Sequence, residues 1–440
     1  MPPGRLLIPW VAALAATPLL TLWLIARHGV NVPVSDDWAL VPLFIESDAG
    51  TLSLGDLLRQ HHEHVPVFPR AADFLMAPLT SWDLRVEMYR NFGVVVATFG
   101  LVLVALRRTL DRTPFLVAAV IASLLVFSPV QSENWLWGWQ LEWFLSNLAA
   151  IGAFYALAFT IDRWPRRALA LAAGAGFVAT FSLGQGLLVW PVGLAILVLR
   201  GRPWRAWTAA GVAAYALHFY DWHDPEPLGA KDRFLDLPGQ TVEFVLLYLG
   251  GTLGNSDATR KLVAVAMLAA FAAAAAYVVR HRRDSLLLQR ASVWLALGLY
   301  VLGAAVITAV SRVTEEVVVP SRYNAMGALF ALATTVLVYL VARAPRVGPL
   351  VLTPRLRHAV VAAVAVPLLA AAVVNADAGA DALRRRAAGL EAFAACSASA
   401  RRPDDPCPGA GRDAQTAILA EQTRWWRRIQ YLKRKGWGGY

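Results

Sequence analysis

LLIPWVAALAATPLLTLWLIA, residues Leu6–Ala26, decides the class of this chain. A helix of about twenty nearly uninterrupted apolar residues is about 30 Å long, enough to cross the hydrocarbon core of a bilayer. The run is too long for a signal-peptide core and lacks a clear small-residue cleavage site, so it reads as a retained span. Asp36-Asp37-Trp38 follows, just where the chain should leave the membrane. Carboxylates are costly to hold near lipid and at a membrane face point to chemistry or ion binding. A solvated loop with an interfacial Trp anchor would give the same letters.

The rest of the chain repeats the apolar theme. Of its 440 residues 58% are hydrophobic and only 16% charged, and the mean hydropathy is +0.50. The apolar runs are too many and too long for water-facing cores, so the fold class is an all-α polytopic membrane protein. A net charge of +11 would suit nucleic acid if the basic residues formed a patch. They sit instead in short clusters between apolar runs, as orientation signals do, and no nucleic-acid partner is expected.

Eleven spans are expected, near residues 6–26, 89–106, 114–129, 141–161, 168–184, 186–199, 204–219, 261–279, 286–308, 323–342 and 357–374. With the N-terminus cytoplasmic, the inner loops carry Arg107, Arg108, Arg112, Arg163, Arg166, Arg167, Arg200, Arg202, Arg205, Arg280, Arg282, Arg283, Arg343, Arg346, Arg355 and Arg357. Only Asp111, Asp162 and Asp284 oppose them there, which sets the orientation. Gln240–Gly254 is apolar but short, and counting it as a span would put Arg280-His281-Arg282-Arg283 outside. It reads as a re-entrant or interfacial element on the outer side. The division is then 1–374 as the membrane domain, with 27–90 as its first outer loop, and 375–440 as an outer tail.

In that tail lie the two cysteines, Cys396 and Cys407, whose pairing would fit an oxidising compartment. The basic run Thr423–Trp437, with Trp425 and Trp426 interleaved, is expected on anionic lipid headgroups, with contact to an anionic lipid-linked substrate as the alternative.

Unusual residues collect on the outer side. The loop 27–90 is far longer than a connection requires, and long ordered loops are usually functional. Ser53-Leu54-Gly55-Asp56 has capping-box spacing, and Leu54, Leu57, Leu58 and His61 would share one face of a helix lying on the membrane. That helix would deliver His61-His62-Glu63-His64, followed by a Pro-stiffened turn presenting Arg70. Adjacent residues on a helix do not converge, and no His-x-x-x-His pair is present, so no metal ligands are assigned. No cofactor is predicted, and a divalent metal is left open. Contact with a polar substrate, or with Asp36 and Asp37, is the role expected for His61, Glu63 and His64.

Glu133-Asn134-Trp135-Leu136-Trp137-Gly138-Trp139-Gln140 joins Trp faces to polar edges. Such a set suits the C–H faces and hydroxyl rim of a sugar, although an interfacial aromatic belt uses the same residues. Ser182–Gly186 reads as a tight connection, and Tyr220–Gln240 as a solvated face. Arg322-Tyr323 opens a late span, where the Arg either snorkels to water or pairs with a phosphate.

An early acidic pair after the first span, a long outer loop with His61-His62-Glu63-His64 and Phe68-Pro69-Arg70, and later Ser321-Arg322-Tyr323 together resemble the GT-C class of glycosyltransferases, over residues 1–345 in layout. The pattern is similar to that of a poorly characterised bacterial group in that class. The Lys-Pro-Pro run of some members is not found in this loop.

The resemblance implies a multispan enzyme of the bacterial plasma membrane that moves a sugar from a polyprenyl-phosphate donor to a glycan, lipid or protein acceptor at the outer face. It would make Asp37 or Asp36 the catalytic carboxylate, with Asp37 the first choice as general base and Asp36 the second. His61, Glu63, His64, Arg70, Glu133, Asn134, Trp135, Gln140, Arg322 and Tyr323 are then the expected substrate-binding residues. An inverting transfer of this kind needs one general base and a cation at the departing phosphate. Two alternatives stand beside it: a transporter or flippase of a lipid-linked or polar substrate, and a lipid-linked glycan ligase or polymerase. Ionisable residues gathered at one face rather than at mid-membrane argue against transport.

Overall fold

The computed structural model describes residues 7–223, 233–344, 346–347, 350–351, 353–400 and 422–440. Leu6, Cys407, residues 224–232 of the loop Tyr220–Gln240 and the side chains of Arg346, Arg357, Thr423, Arg424 and Trp425, all within stretches named above, lie outside the described residues. Cys396 is disulfide-bonded.

The described chain is helical apart from one short antiparallel pairing, Arg346–Val347 with Leu350–Val351. Its principal helices are α1 (Leu7–His28), α2 (Val67–Thr80), α3 (Leu84–Thr109), α4 (Arg112–Val126), α5 (Leu141–Tyr155), α6 (Pro165–Thr180) and α7 (Val189–Leu199). They continue with α8 (Arg205–His218), α9 (Pro238–Gly250), α10 (Asp257–Arg280), α11 (Ser285–Arg312), α12 (Asn324–Ala342), α13 (Pro354–Ser399) and α14 (Gln422–Lys435). Among the described residues, seven segments are long and apolar enough to cross a membrane: Pro9–His28, Leu84–Thr109, Gly138–Thr160, Asp257–Arg280, Ser285–Arg312, Ser321–Ala342 and Ala365–Ser399. The expected spans at 114–129 and 186–199 correspond to shorter apolar helices, and those at 168–184 and 204–219 to α6 and α8.

Two ends of the bundle differ in chemistry. At one, Asp162 holds Arg200 and Arg202, each at 2.7 Å, and accepts a hydrogen bond from Gln289 at 2.8 Å. Arg343 pairs with Asp111 at the same end. Arg200 also donates to the carbonyls of Leu157 and Ala158, where α5 runs on into a π-helical turn over Ala156–Thr160. Between the ends the helices approach closely. A Cβ at Gly193 would lie 2.4 Å from the Trp207 ring and one at Gly298 2.1 Å from Phe271, so only glycine permits these contacts.

The opposite end carries the loops. Here α9 remains throughout: Glu243 pairs with Lys261, Tyr248 stacks on Tyr323 at 5.1 Å, and Gly250 abuts the Arg260 backbone. Thirteen residues make only about 20 Å of helix. α13 runs unbroken through residue 375, where Asn375 donates to the Thr252 carbonyl at 3.3 Å. The division expected at 374–375 therefore falls inside one helix.

The C-terminal segment folds back onto the first long loop. Trp437 packs edge-on against Phe44 (5.4 Å), Tyr440 lies 6.3 Å from Trp38, and Arg428 donates to the Trp38 carbonyl. Asp48 accepts from Tyr431 at 2.8 Å and pairs with Lys435 at 2.7 Å. Ile429 and Leu432 are fully buried. Ile429, Leu432 and Trp437 thus pack on the chain itself, a contact that the basic run alone did not suggest.

Candidate functional site

The loop 29–83 is built from short pieces. Ser35–Ala39 forms a single 3-10 turn in which Asp37 Oδ2 accepts the Val34 N–H at 2.9 Å. That cap turns Asp37 inward, where it is buried, and turns Asp36 toward the cavity described below. Asp37, the first choice as base, is thus buried, and Asp36, the second, is the one that faces the cavity. Burial, with Asp73 and Asp36 adding their charges, drives the Asp37 carboxyl well above the usual carboxylate range, despite the Val34 hydrogen bond. Burial also acts to raise Asp36, but His61, His62 and Arg322 outweigh it and hold the group below its ordinary value.

The capping box at Ser53 forms: Ser53 N–H donates to Asp56 Oδ2 at 2.9 Å and Asp56 N–H to Ser53 Oγ at 3.3 Å. The helix it starts is only Leu54–Leu58, because Arg59 turns extended. Arg70 explains the stop. Its guanidinium is buried and donates to the carbonyls of Leu57 (2.8 Å) and Arg59 (2.7 Å), two of the acceptors a helix end leaves unpaired. Arg70 therefore caps a turn and does not line the cavity.

Beyond Arg59 the helical face expected to carry His61 does not exist. His61 and His64 instead exchange backbone hydrogen bonds of 2.8 and 2.9 Å around a two-residue turn, with His62 at φ +49°. His61 Nε2 then lies 3.7 Å and His62 Nε2 3.9 Å from Asp36 Oδ1. His64 turns the other way and its Nδ1 accepts the Gly184 N–H at 3.1 Å. Burial depresses the His64 imidazole to about 4, so it is neutral, as an acceptor must be.

A second cluster comes from far along the sequence. Glu133 accepts from Arg322 N–H (2.9 Å), Arg322 Nη1 (3.1 Å) and Ser321 Oγ (3.1 Å). Asn134 donates to the Arg322 carbonyl at 2.9 Å. Burial acts to raise the Glu133 carboxyl, but the Arg322 and Arg386 charges and these hydrogen bonds hold it below its ordinary value. Arg322 lies over the Tyr323 ring (5.1 Å), and Tyr323 is wedged between Tyr248 and Trp143.

These pieces meet around one cavity of about 380 Å³ at the loop-rich end. Of the expected substrate-binding residues, His61, Glu63, His64, Arg322 and Tyr323 line it together with Asp36. Glu133 and Asn134 stand behind Arg322. Trp135 is core: it is buried, stacks on Phe127 and Phe144, and donates to the Ser128 carbonyl. Gln140 is also buried and does not line the cavity.

Four residues of this wall were not among the expected substrate-binding set, although Trp139 belongs to the tryptophan-rich stretch read as suiting a sugar. Arg312 pairs with Glu63 at 3.0 Å, and Glu142 presents an oxygen with no partner. Trp139 packs on His61 at 5.0 Å. His218, at the end of α8, is buried with both ring nitrogens unpartnered. A histidine at the end of an otherwise apolar run was the available signal.

Beside this cavity lies a larger groove of about 1130 Å³ between the loop, α6 and α8. Phe68, Phe177, Phe181, Leu217 and Tyr220 make its wall mainly apolar, while Arg59 and Gln60 stand at its rim. His62 and His218 line both spaces, so the groove and the cavity adjoin. Comparison of the chain with protein-family models, curated proteins and solved structures gave no match.

Proposed function

We propose that the protein is a membrane glycosyltransferase of the GT-C type, acting on a sugar carried by a polyprenyl phosphate. In this reading eleven helices cross the bilayer, the arginine-rich end is cytoplasmic, and the cavity opens on the outer side. The observation that carries it is the meeting of an amphipathic pair of spaces. A cavity lined by the carboxylates Asp36, Glu63 and Glu142, by two paired arginines and by buried polar atoms without partners adjoins a mainly apolar groove beside α6 and α8. Buried polar groups are ordinarily satisfied, so such atoms favour a hydroxyl-rich ligand.

The chemistry follows from the groups present. An acceptor hydroxyl attacks the anomeric carbon, the bond from that carbon to the phosphate oxygen breaks, and the configuration inverts. The acceptor proton passes to Asp36, the member of the aspartate pair that faces the cavity. Charge gathering on the departing phosphate is met by Arg322, with Arg312 across the cavity. The isoprenoid chain lies along Phe177, Phe181 and Leu217. His218 and Glu142 supply partners for sugar hydroxyls. Trp135 and Arg70, expected at the substrate, act in this reading by holding the walls.

Transport is less well supported, since these ionisable groups lie at one end of the bundle. A strain lacking the protein should show a change in mass of one cell-surface glycan, lipid or glycoprotein, restored by the wild-type chain and not by Asp36→Asn. Restoration by Asp36→Asn would remove the base from the proposal. A polar solute accumulating in proteoliposomes with no covalent product would replace the enzyme with a carrier.

A further inference from the structure

We infer that Asp36, His61 and His62 form a binding site for one divalent transition-metal ion of the zinc or manganese kind. The inference stands apart from glycosyl transfer, because it rests on ligand geometry alone.

One ligand atom from each of Asp36, His61 and His62 lies within 4.8 Å of the other two, and Asp36 Oδ1 is 3.7 Å from His61 Nε2 and 3.9 Å from His62 Nε2. A metal bound at about 2.0–2.2 Å from each would bring such atoms to about 3–3.5 Å apart, so the trio needs only a small closure. Neighbouring histidines diverge on a helix, which is why the sequence alone argued against convergence. The turn overrides that rule. With His62 in the left-handed region at φ +49°, the two rings swing together, with centroids 4.5 Å apart.

Two independent observations point to a ligand. His61 Nε2 is buried and has no hydrogen-bond partner; its 3.7 Å approach to Asp36 is too long for one. Backbone strain also gathers here. Among the described residues, the four non-glycine positions with positive φ include Ser35 (+48°), next to Asp36, and His62 itself. Strain of about 1–3 kcal/mol per residue survives where the surroundings impose it, and such positions cluster at ligand sites.

The donor set selects the ion. Two imidazoles and one carboxylate suit zinc, manganese or ferrous iron, and magnesium or calcium would prefer an all-oxygen set. The remaining coordination positions face a cavity lined by Glu142 and Arg322, room for oxygen ligands of a substrate.

The test uses the full chain in detergent, stripped with chelator and titrated with Mn2+ or Zn2+ alone. One saturable equivalent is expected, and pulsed EPR of bound Mn2+ should show coupling to imidazole nitrogen. His62→Gly is the informative variant. It relieves the strain at φ +49° and so leaves thermal stability equal or higher, yet should weaken metal affinity by at least about tenfold, the scale found even for outer-shell partners. The exposed His223→Ala should leave binding unchanged. Absence of a saturable equivalent, absence of nitrogen coupling, or undiminished affinity in His62→Gly overturns the site. Saturable binding without any sugar transfer would sustain the metal site and reject the enzyme reading instead.

Discussion

Replacing Glu133 by alanine removes the acceptor that ties the two halves of the cavity wall together. Glu133 and Arg322 are separated by 189 positions in sequence, yet share two hydrogen bonds, and Ser321 adds a third. The side chains are only 12% and 25% exposed, so water cannot fully substitute. Hydrogen bonds to a charged group are worth about 1.5–3 kcal/mol, and breaking a fully buried pair costs about 3–5 kcal/mol. With Arg322 a quarter exposed, the cost falls between these two ranges, and Glu133→Ala should cost about 2–4 kcal/mol. Glu133→Gln keeps one acceptor and should cost about half as much.

The assay is denaturant unfolding in mixed micelles, arranged as a cycle with Arg322→Ala and the double variant. Residues in contact couple, and here the interaction energy should exceed about 1 kcal/mol. A pH arm checks the sign. Because the folded state holds the Glu133 carboxyl below its ordinary value, its contribution is complete above about pH 4.3 and is lost as the pH falls toward the depressed value. Glu133→Gln should flatten that acid limb. Additive single variants, or a Glu133→Ala protein as stable as wild type, would refute the clamp.

Arg70→Ala should cost about 1–3 kcal/mol by freeing the Leu57 and Arg59 carbonyls, measured by the same unfolding assay, and Arg70→Lys should recover much of it, because a single nitrogen, Nη1, serves both acceptors and an ammonium carries three donors. Gly184→Ala would place a Cβ 2.8 Å from both the Glu63 carbonyl and His64 Nδ1, so it should displace the His61–His64 turn and raise protease cleavage within residues 54–66; unchanged cleavage would count against that packing. Trp437→Ala should expose the 29–83 loop in hydrogen exchange while leaving the core helices protected, since Phe44 loses its edge-on partner.

Class and site divided differently between what the letters carried and what the packing supplied. Helices follow from apolar runs, since a bilayer leaves the backbone no other partner than itself, and the loop-end position of Asp36, His61 and Arg322 followed from where those runs stop. The pairing of Glu133 with Arg322 was not legible, because nothing local links residues so distant. Arg70 was misplaced for a different reason. An arginine near a proline-rich turn reads as presented to solvent, whereas two orphan carbonyls drew it inward. The histidines failed through geometry. A 3.6-residue period was applied beyond Leu58, but the helix ends there and a single left-handed residue redirects both rings. Asp37 was ranked before Asp36 from sequence, but which of them faces the cavity depends on which caps the Val34 N–H, and that is Asp37.

The central claim is that Asp36 works at a cavity served by a lipid-borne sugar, and the direct measurement is transfer of radiolabelled sugar from polyprenyl phosphate to acceptor by purified protein in nanodiscs. Wild type and Asp37→Asn should both form product, with Asp36→Asn reduced by about 10²–10⁴-fold, the usual loss of a general base. Equal turnover by Asp36→Asn and wild type, with Asp37→Asn inactive, would contradict it.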